Sequence, residues 1–209
     1  MKREMTLANK ITLIRALLSI IMFFLMLTEN PVCFMIASLI FGIAASTDWV
    51  DGRIARATQT STPFGAIVDP FVDKILVGAA FFAFTDVHFL NVPVWAVFII
   101  ILRELTVSTL RVLAALNNKV LAAERWGKFK TAVQLISIGI IFVIADIHLC
   151  IPFVEGASQK SLCFLSFFLE GFPYPITVIA AVITCVSAIT YLKNNWALLK
   201  ESWSLPVKK

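Results

Sequence analysis

Four aspartates in two close pairs are the residues of this chain best suited to chemistry. Asp48 and Asp51 stand three apart and Asp69 and Asp73 four apart, with Gly52, Ala55, Arg56 and Gly65 between the pairs. Both spacings put two carboxylates on one face of a helix. A short Thr- and Ser-rich loop with Pro63 would let the two faces meet. Carboxylates in apolar surroundings are expensive, about 2.5–3.5 kcal/mol for an Asp at the centre of a membrane helix, and they repel one another unless something cationic sits among them. An all-oxygen donor set without nearby His or Cys suits Mg2+, Mn2+ or Ca2+ and disfavours zinc. Two ions would balance four ionised carboxylates, an arrangement suited to phosphoryl chemistry, where metals clamp the attacking and leaving oxygens. Gly52 and Gly65 let a phosphate-bearing ligand approach the helix backbones, and Arg56 offers a planar fork to a phosphate. Either pair alone would read as a solvated helix end, and either glycine alone as a packing residue. Together they outline a nucleotide-diphosphate pocket.

The elements that must position these residues are membrane helices. Of 209 residues, 59% are hydrophobic, well above the roughly 45–50% of soluble domains. Six stretches approach the ~20 apolar residues needed to cross a bilayer. They run over 9–28, 32–57, 64–84, 93–116, 130–149 and 174–192, punctuated by Pro31, Pro63, Pro93 and the run Asn117-Asn118-Lys119. The segment 161–169 is apolar but too short to span, and is expected at the interface. The connections leave no room for a second globular unit, so residues 1–209 read as one all-α integral membrane domain of six transmembrane helices. Of the 18 Lys and Arg, Lys160 alone falls in a predicted external loop. The positive-inside rule therefore places both termini in the cytoplasm, with the aspartates facing it from the inner membrane.

The net charge of +5 comes from basic residues scattered between apolar spans, with no aromatic-interleaved basic face. That pattern fits loops against anionic lipid and gives no reason to expect nucleic acid as a partner. The four cysteines lack C-x-x-C spacing, so neither zinc nor a redox pair is indicated. Cys150 and Cys163 share a predicted external loop, where a disulfide would be testable by thiol labelling. Arg103 and Arg111 are eight apart on the fourth predicted helix, close to two turns and roughly on one face. Lys128 and Lys130 stand at the start of the fifth. Arg103 lies well inside an apolar run beside Glu104, where an anionic group would account for it better than snorkelling does.

The spacing D-x-x-D-G-x-x-A-R-x8-G-x-x-x-D-x-x-x-D resembles the signature of the CDP-alcohol phosphotransferases, and Asp48, Asp51, Gly52, Ala55, Arg56, Gly65, Asp69 and Asp73 match every specified position. The resemblance extends over nearly the whole chain, through Asn9, Thr12 and Arg15, the Arg103-Glu104 pair with Arg111, and the run Gly127 to Thr131. It implies six membrane helices, a homodimer, two metal ions held by the four aspartates, Asp73 as general base, and release of CMP. It also implies a CDP site lined by Gly52, Ala55, Arg56 and Gly65 with Asn9 and Thr12. Arg103, Arg111, Lys128 and Lys130 look like a site for the acceptor phosphate. The expected substrates are thus CDP-diacylglycerol and glycerol 3-phosphate, with sibling acceptors, as in cardiolipin synthesis or with inositol phosphate or serine, as the alternative. A cation transporter is a third reading, but the broken helices and repeat symmetry often found in transporters are missing.

Overall fold

The computed structural model describes residues 7–28, 30–58, 63–116, 125–153, 159–196 and 200, and its account of side chains leaves out 7–9, 48–58, 63–70, 73, 111–116, 125–126, 128, 153, 159–163 and 168. Among the described residues the chain is all helical, with no strand. The helices are α1 (Leu7–Met26), α2 (Pro31–Thr58), α3 (Pro63–Asp86), α4 (Val94–Leu116), α5 (Arg125–Cys150), α6 (Gln159–Gly171) and α7 (Pro173–Asn194).

Their boundaries follow from local chemistry. The Asn30 side chain caps α2 by accepting a hydrogen bond from the Val32 N–H at 2.9 Å, and Pro31 fills the first helical position, where a missing N–H costs nothing. Pro63 opens α3 and Pro173 opens α7 in the same way. Between α3 and α4 a single 3-10 turn, His88–Leu90, closes on Asn91, whose left-handed φ of 48° an asparagine tolerates. The short segment expected at the interface is α6, joined to α7 through a bend at Phe172. Among the described residues Cys33, Cys150 and Cys185 are free thiols, and the Cys163 side chain lies outside them.

The helices form a closed bundle. α1 packs on α2 and α3, α5 on α2 and α7, and α4 on α7, while α3 touches both α4 and α5. The dry part of its core centres on Phe142 of α5. That ring meets Phe34 and Phe41 of α2 at centroid distances of 5.7 and 5.3 Å, and Phe84 of α3 edge-on at 4.9 Å. Met22, Phe81, Ile138 and Ala180 surround this cluster.

The outside is apolar as well. Ile14, Leu17 and Phe24 on α1, Phe98 and Leu105 on α4, and Ile179 and Val182 on α7 are all exposed. Helices that are hydrophobic all round belong in a membrane. Two described stretches, Phe129–Cys150 and Phe164–Asn194, are long and apolar enough to cross one, and Pro31–Thr47 is a shorter apolar helix. The described residues are accordingly those of a helical membrane protein.

Candidate active site

Both aspartate pairs lie on helices. Asp48 and Asp51, with Gly52, Ala55 and Arg56, ride the last turns of α2, while Gly65, Asp69 and Asp73 ride the first turns of α3. Residues 59–62 alone separate the two helices, so the ends bearing the pairs are close along the chain. The side chains of these eight residues lie outside those the structure describes, as do those of Asn9, Arg111 and Lys128. Thr12 is buried on α1, one turn from buried Arg15 and on the same face as buried Ser19. Because α1 packs on both α2 and α3, that polar face belongs to a helix in contact with both aspartate-bearing helices.

Two of the predicted phosphate-binding residues, Arg103 of α4 and Lys130 of α5, do come together. They line a cavity of about 140 Å³ with Lys74 and Val77 of α3, Glu104, Val107 and Ser108 of α4, and Gln134 of α5. Arg103 and Lys130 are only 6% and 5% exposed, and Gln134 only 2%. Charged groups so deep require partners, and each has one. Lys130 pairs with the Glu104 carboxylate. Arg103 donates from Nη2 to Ser187 Oγ of α7 at 2.9 Å and lies 3.5 Å through Nη1 from Glu104 Oε1. Gln134 donates to Thr184 Oγ1 of α7 at 3.1 Å and to Glu104 Oε1 at 3.4 Å. The Glu104 carbonyl accepts from Ser108 Oγ at 2.6 Å and from Lys74 Nζ at 3.4 Å.

Among the described residues that line the cavity, Lys74, Arg103 and Lys130 are formal cations and Glu104 a formal anion, a formal excess of two positive charges. A phosphate monoester is close to dianionic at neutral pH, and this lining complements it in sign. Lys74 also follows Asp73 directly, so the wall of the cavity begins one residue beyond the last aspartate. On its other side Lys74 borders an open apolar recess of about 480 Å³ lined by Phe23, Gly78, Phe82 and Ile101.

Lys74, Glu104, Gln134, Thr184 and Ser187 were not among the site residues expected from the sequence. The available signals were weak. Lys74 could be read as a cation directly following a signature residue, and Gln134 as a polar side chain one turn beyond Lys130 inside an apolar span. Thr184 and Ser187 look like ordinary membrane-helix residues.

The described residues thus define a helical membrane protein with a buried cavity lined by cations, whose wall at Lys74 directly follows Asp73 in the chain. Residues 5–186 match the CDP-alcohol phosphatidyltransferase family, and the chain belongs to it. Similar proteins include CDP-diacylglycerol--glycerol-3-phosphate 3-phosphatidyltransferases of Bacillus subtilis and Pseudomonas fluorescens. The first is 35% identical, covering 94% of this chain and 98% of its own length, and the second 32% identical, covering 98% and 97%. A cardiolipin synthase (CMP-forming) of Oryza sativa is 32% identical over 82% of this chain and 51% of its own length.

Proposed function

We propose that this chain transfers the phosphatidyl group of CDP-diacylglycerol to glycerol 3-phosphate, giving phosphatidylglycerophosphate and CMP. The observation that carries the reading is the cavity of Lys74, Arg103 and Lys130, dipositive in excess and starting one residue from Asp73. The two full-length bacterial relatives, named for the same reaction, support it.

In this scheme Lys130 and Arg103, with Arg111 and Lys128, hold the phosphate of the acceptor, so that its far hydroxyl points toward the aspartates. Asp73 takes the proton as that hydroxyl oxygen bonds to the lipid-linked phosphorus, and the bond from that phosphorus to the CMP oxygen breaks. Gly52, Ala55 and Gly65 leave room for the CDP group, Arg56 binds its phosphates, and Asn9 and Thr12 complete its site from α1. Asp48, Asp51, Asp69 and Asp73 form an oxygen-only donor set that suits Mg2+ or Mn2+, two ions balancing four negative charges. Such ions supply charge stabilisation to the diphosphate and its leaving oxygen when bound. The same proposal takes six membrane spans, both termini and the site on the cytoplasmic side of the inner membrane, a single domain over 1–209, and a homodimer.

Cardiolipin synthesis is the second reading, favoured by the similarity to the rice enzyme. Its acceptor would present a phosphodiester with one negative charge, a weaker partner for the cavity's cations than a phosphate monoester. Purified protein supplied with CDP-diacylglycerol separates the readings: CMP release is expected with glycerol 3-phosphate and not with phosphatidylglycerol. The reverse preference would replace the first reading by the second.

A further inference from the structure

We propose that Glu104 is a positioning residue for the acceptor site, holding the Lys130 ammonium where it meets the acceptor's phosphate. This rests on the reading of the cavity given above and goes beyond it, because Glu104 has the wrong charge to bind a phosphate itself. A carboxylate in an anion site weakens binding unless it does something else. Here its contacts specify what that is.

Glu104 touches all three cations of the cavity. Its Oε1 gathers Lys130, Gln134 at 3.4 Å and Arg103 at 3.5 Å, and its carbonyl oxygen accepts from Lys74 at 3.4 Å. Arg103 and Gln134 have independent holds on α7, through Ser187 and Thr184. Lys130 is placed differently: among the described residues, its acidic partner is Glu104 alone. A lysine stem has four rotatable carbons and no planar fork to fix its head, and a buried ammonium deprived of its counter-charge is costly. Without the carboxylate, Lys130 would turn away from the cavity.

The carboxylate is in turn braced. Thr184 holds Gln134, Gln134 donates to Glu104, and Glu104 holds Lys130, so a chain of polar contacts runs from α7 to α5, across to α4 and back to α5. Through it, α7 sets the position of a cation on a neighbouring helix.

A double-mutant cycle on the full-length enzyme in mixed micelles tests this, with kcat and both KM values measured for Lys130→Met, Glu104→Gln and the double variant. If Glu104 acts through Lys130, each single change raises the KM for glycerol 3-phosphate by roughly tenfold or more, and the double variant is no worse than Lys130→Met, since residues acting as a unit are non-additive. The KM for CDP-diacylglycerol should stay within about twofold in all three, and Glu104→Asp should recover part of the loss. Multiplying losses in the double variant, or a lowered acceptor KM in Glu104→Gln, would overturn the inference. An unchanged acceptor KM in Lys130→Met would instead remove the acceptor-site reading on which it rests. Should Glu104→Gln fail to fold, Gln134→Leu keeps the charge and removes the brace. It should raise the acceptor KM about threefold in the native background and not at all with Lys130→Met, as expected for one lost hydrogen bond acting through that lysine. Equal effects in both backgrounds would reject the brace and the inference with it.

Discussion

Helix α5 carries two buried regions roughly 12–18 Å apart, at 1.5 Å per residue, and they are held together by different physics. Around Phe142, rings and aliphatic groups from α2 and α3 fill the space, with the nearest polar contact, Ser38 of α2 to Asp146 of α5, one turn away. Around Lys130 and Gln134, buried polar contacts run from Glu104 of α4 and Thr184 of α7. In the dry region a side chain is replaceable by another of similar shape. In the polar region removing one partner leaves another unsatisfied, and the loss appears where that partner acts. A bilayer offers little reason to bury charge for stability alone, and the polar seam is the region we propose to hold the acceptor.

The contrast can be broken or sharpened in order of expected effect. Removing divalent metal with excess chelator should stop turnover, with added Mg2+ or Mn2+ restoring it; persistent CMP release in chelator would remove the metal from the account. Asp73→Asn should lower kcat by about 10²–10⁴, the usual contribution of a general base, while nucleotide binding by calorimetry stays measurable; wild-type kcat would refute its role. Arg103→Ala should raise the KM for glycerol 3-phosphate by roughly 10- to 100-fold, in line with loss of a charged hydrogen bond, and leave that for CDP-diacylglycerol nearly unchanged. Equal rises in both would make Arg103 structural. In the dry region the readout changes. Phe142→Ala should cost about 3–5 kcal/mol of stability, seen as a lower melting temperature in detergent, with both KM values intact below it. Ile179→Ala, on the exposed face of α7, should shift stability by no more than about 0.5 kcal/mol.

Much of this arrangement was legible in the residues. Apolar runs ending at Asn30-Pro31, at Pro63 and at Pro93 placed the helix boundaries within a few residues: the run over 32–57 is α2, Pro31–Thr58, and that over 174–192 is α7, Pro173–Asn194. The fifth start is the larger difference, since α5 begins at Arg125 where an apolar count starts at 130. Its first turns are polar, and helix continues through them without needing apolar side chains. Arg103 was legible as a cation well inside an apolar span, and Lys130, at the start of the fifth, could be joined to it only through the family resemblance. Glu104 could not be read in the same way. Neighbours at i and i+1 on a helix do not normally face each other, yet Arg103 and Glu104 line one cavity. Nor does periodicity tell which helices touch: the contact from Arg103 to Ser187 joins residues 84 apart, and only the packing of α4 on α7 brings them together.

The central claim is that the cation cavity selects a phosphorylated acceptor for chemistry at the adjoining aspartates. Its most direct test is CMP release from CDP-diacylglycerol by the purified protein, measured with glycerol 3-phosphate, with unphosphorylated glycerol and with no acceptor. Rapid release with glycerol 3-phosphate alone, collapsing in Arg103→Ala at low acceptor concentration and recovering at high, is the expected result. Release at the same rate with glycerol, or with no acceptor at all, would contradict it.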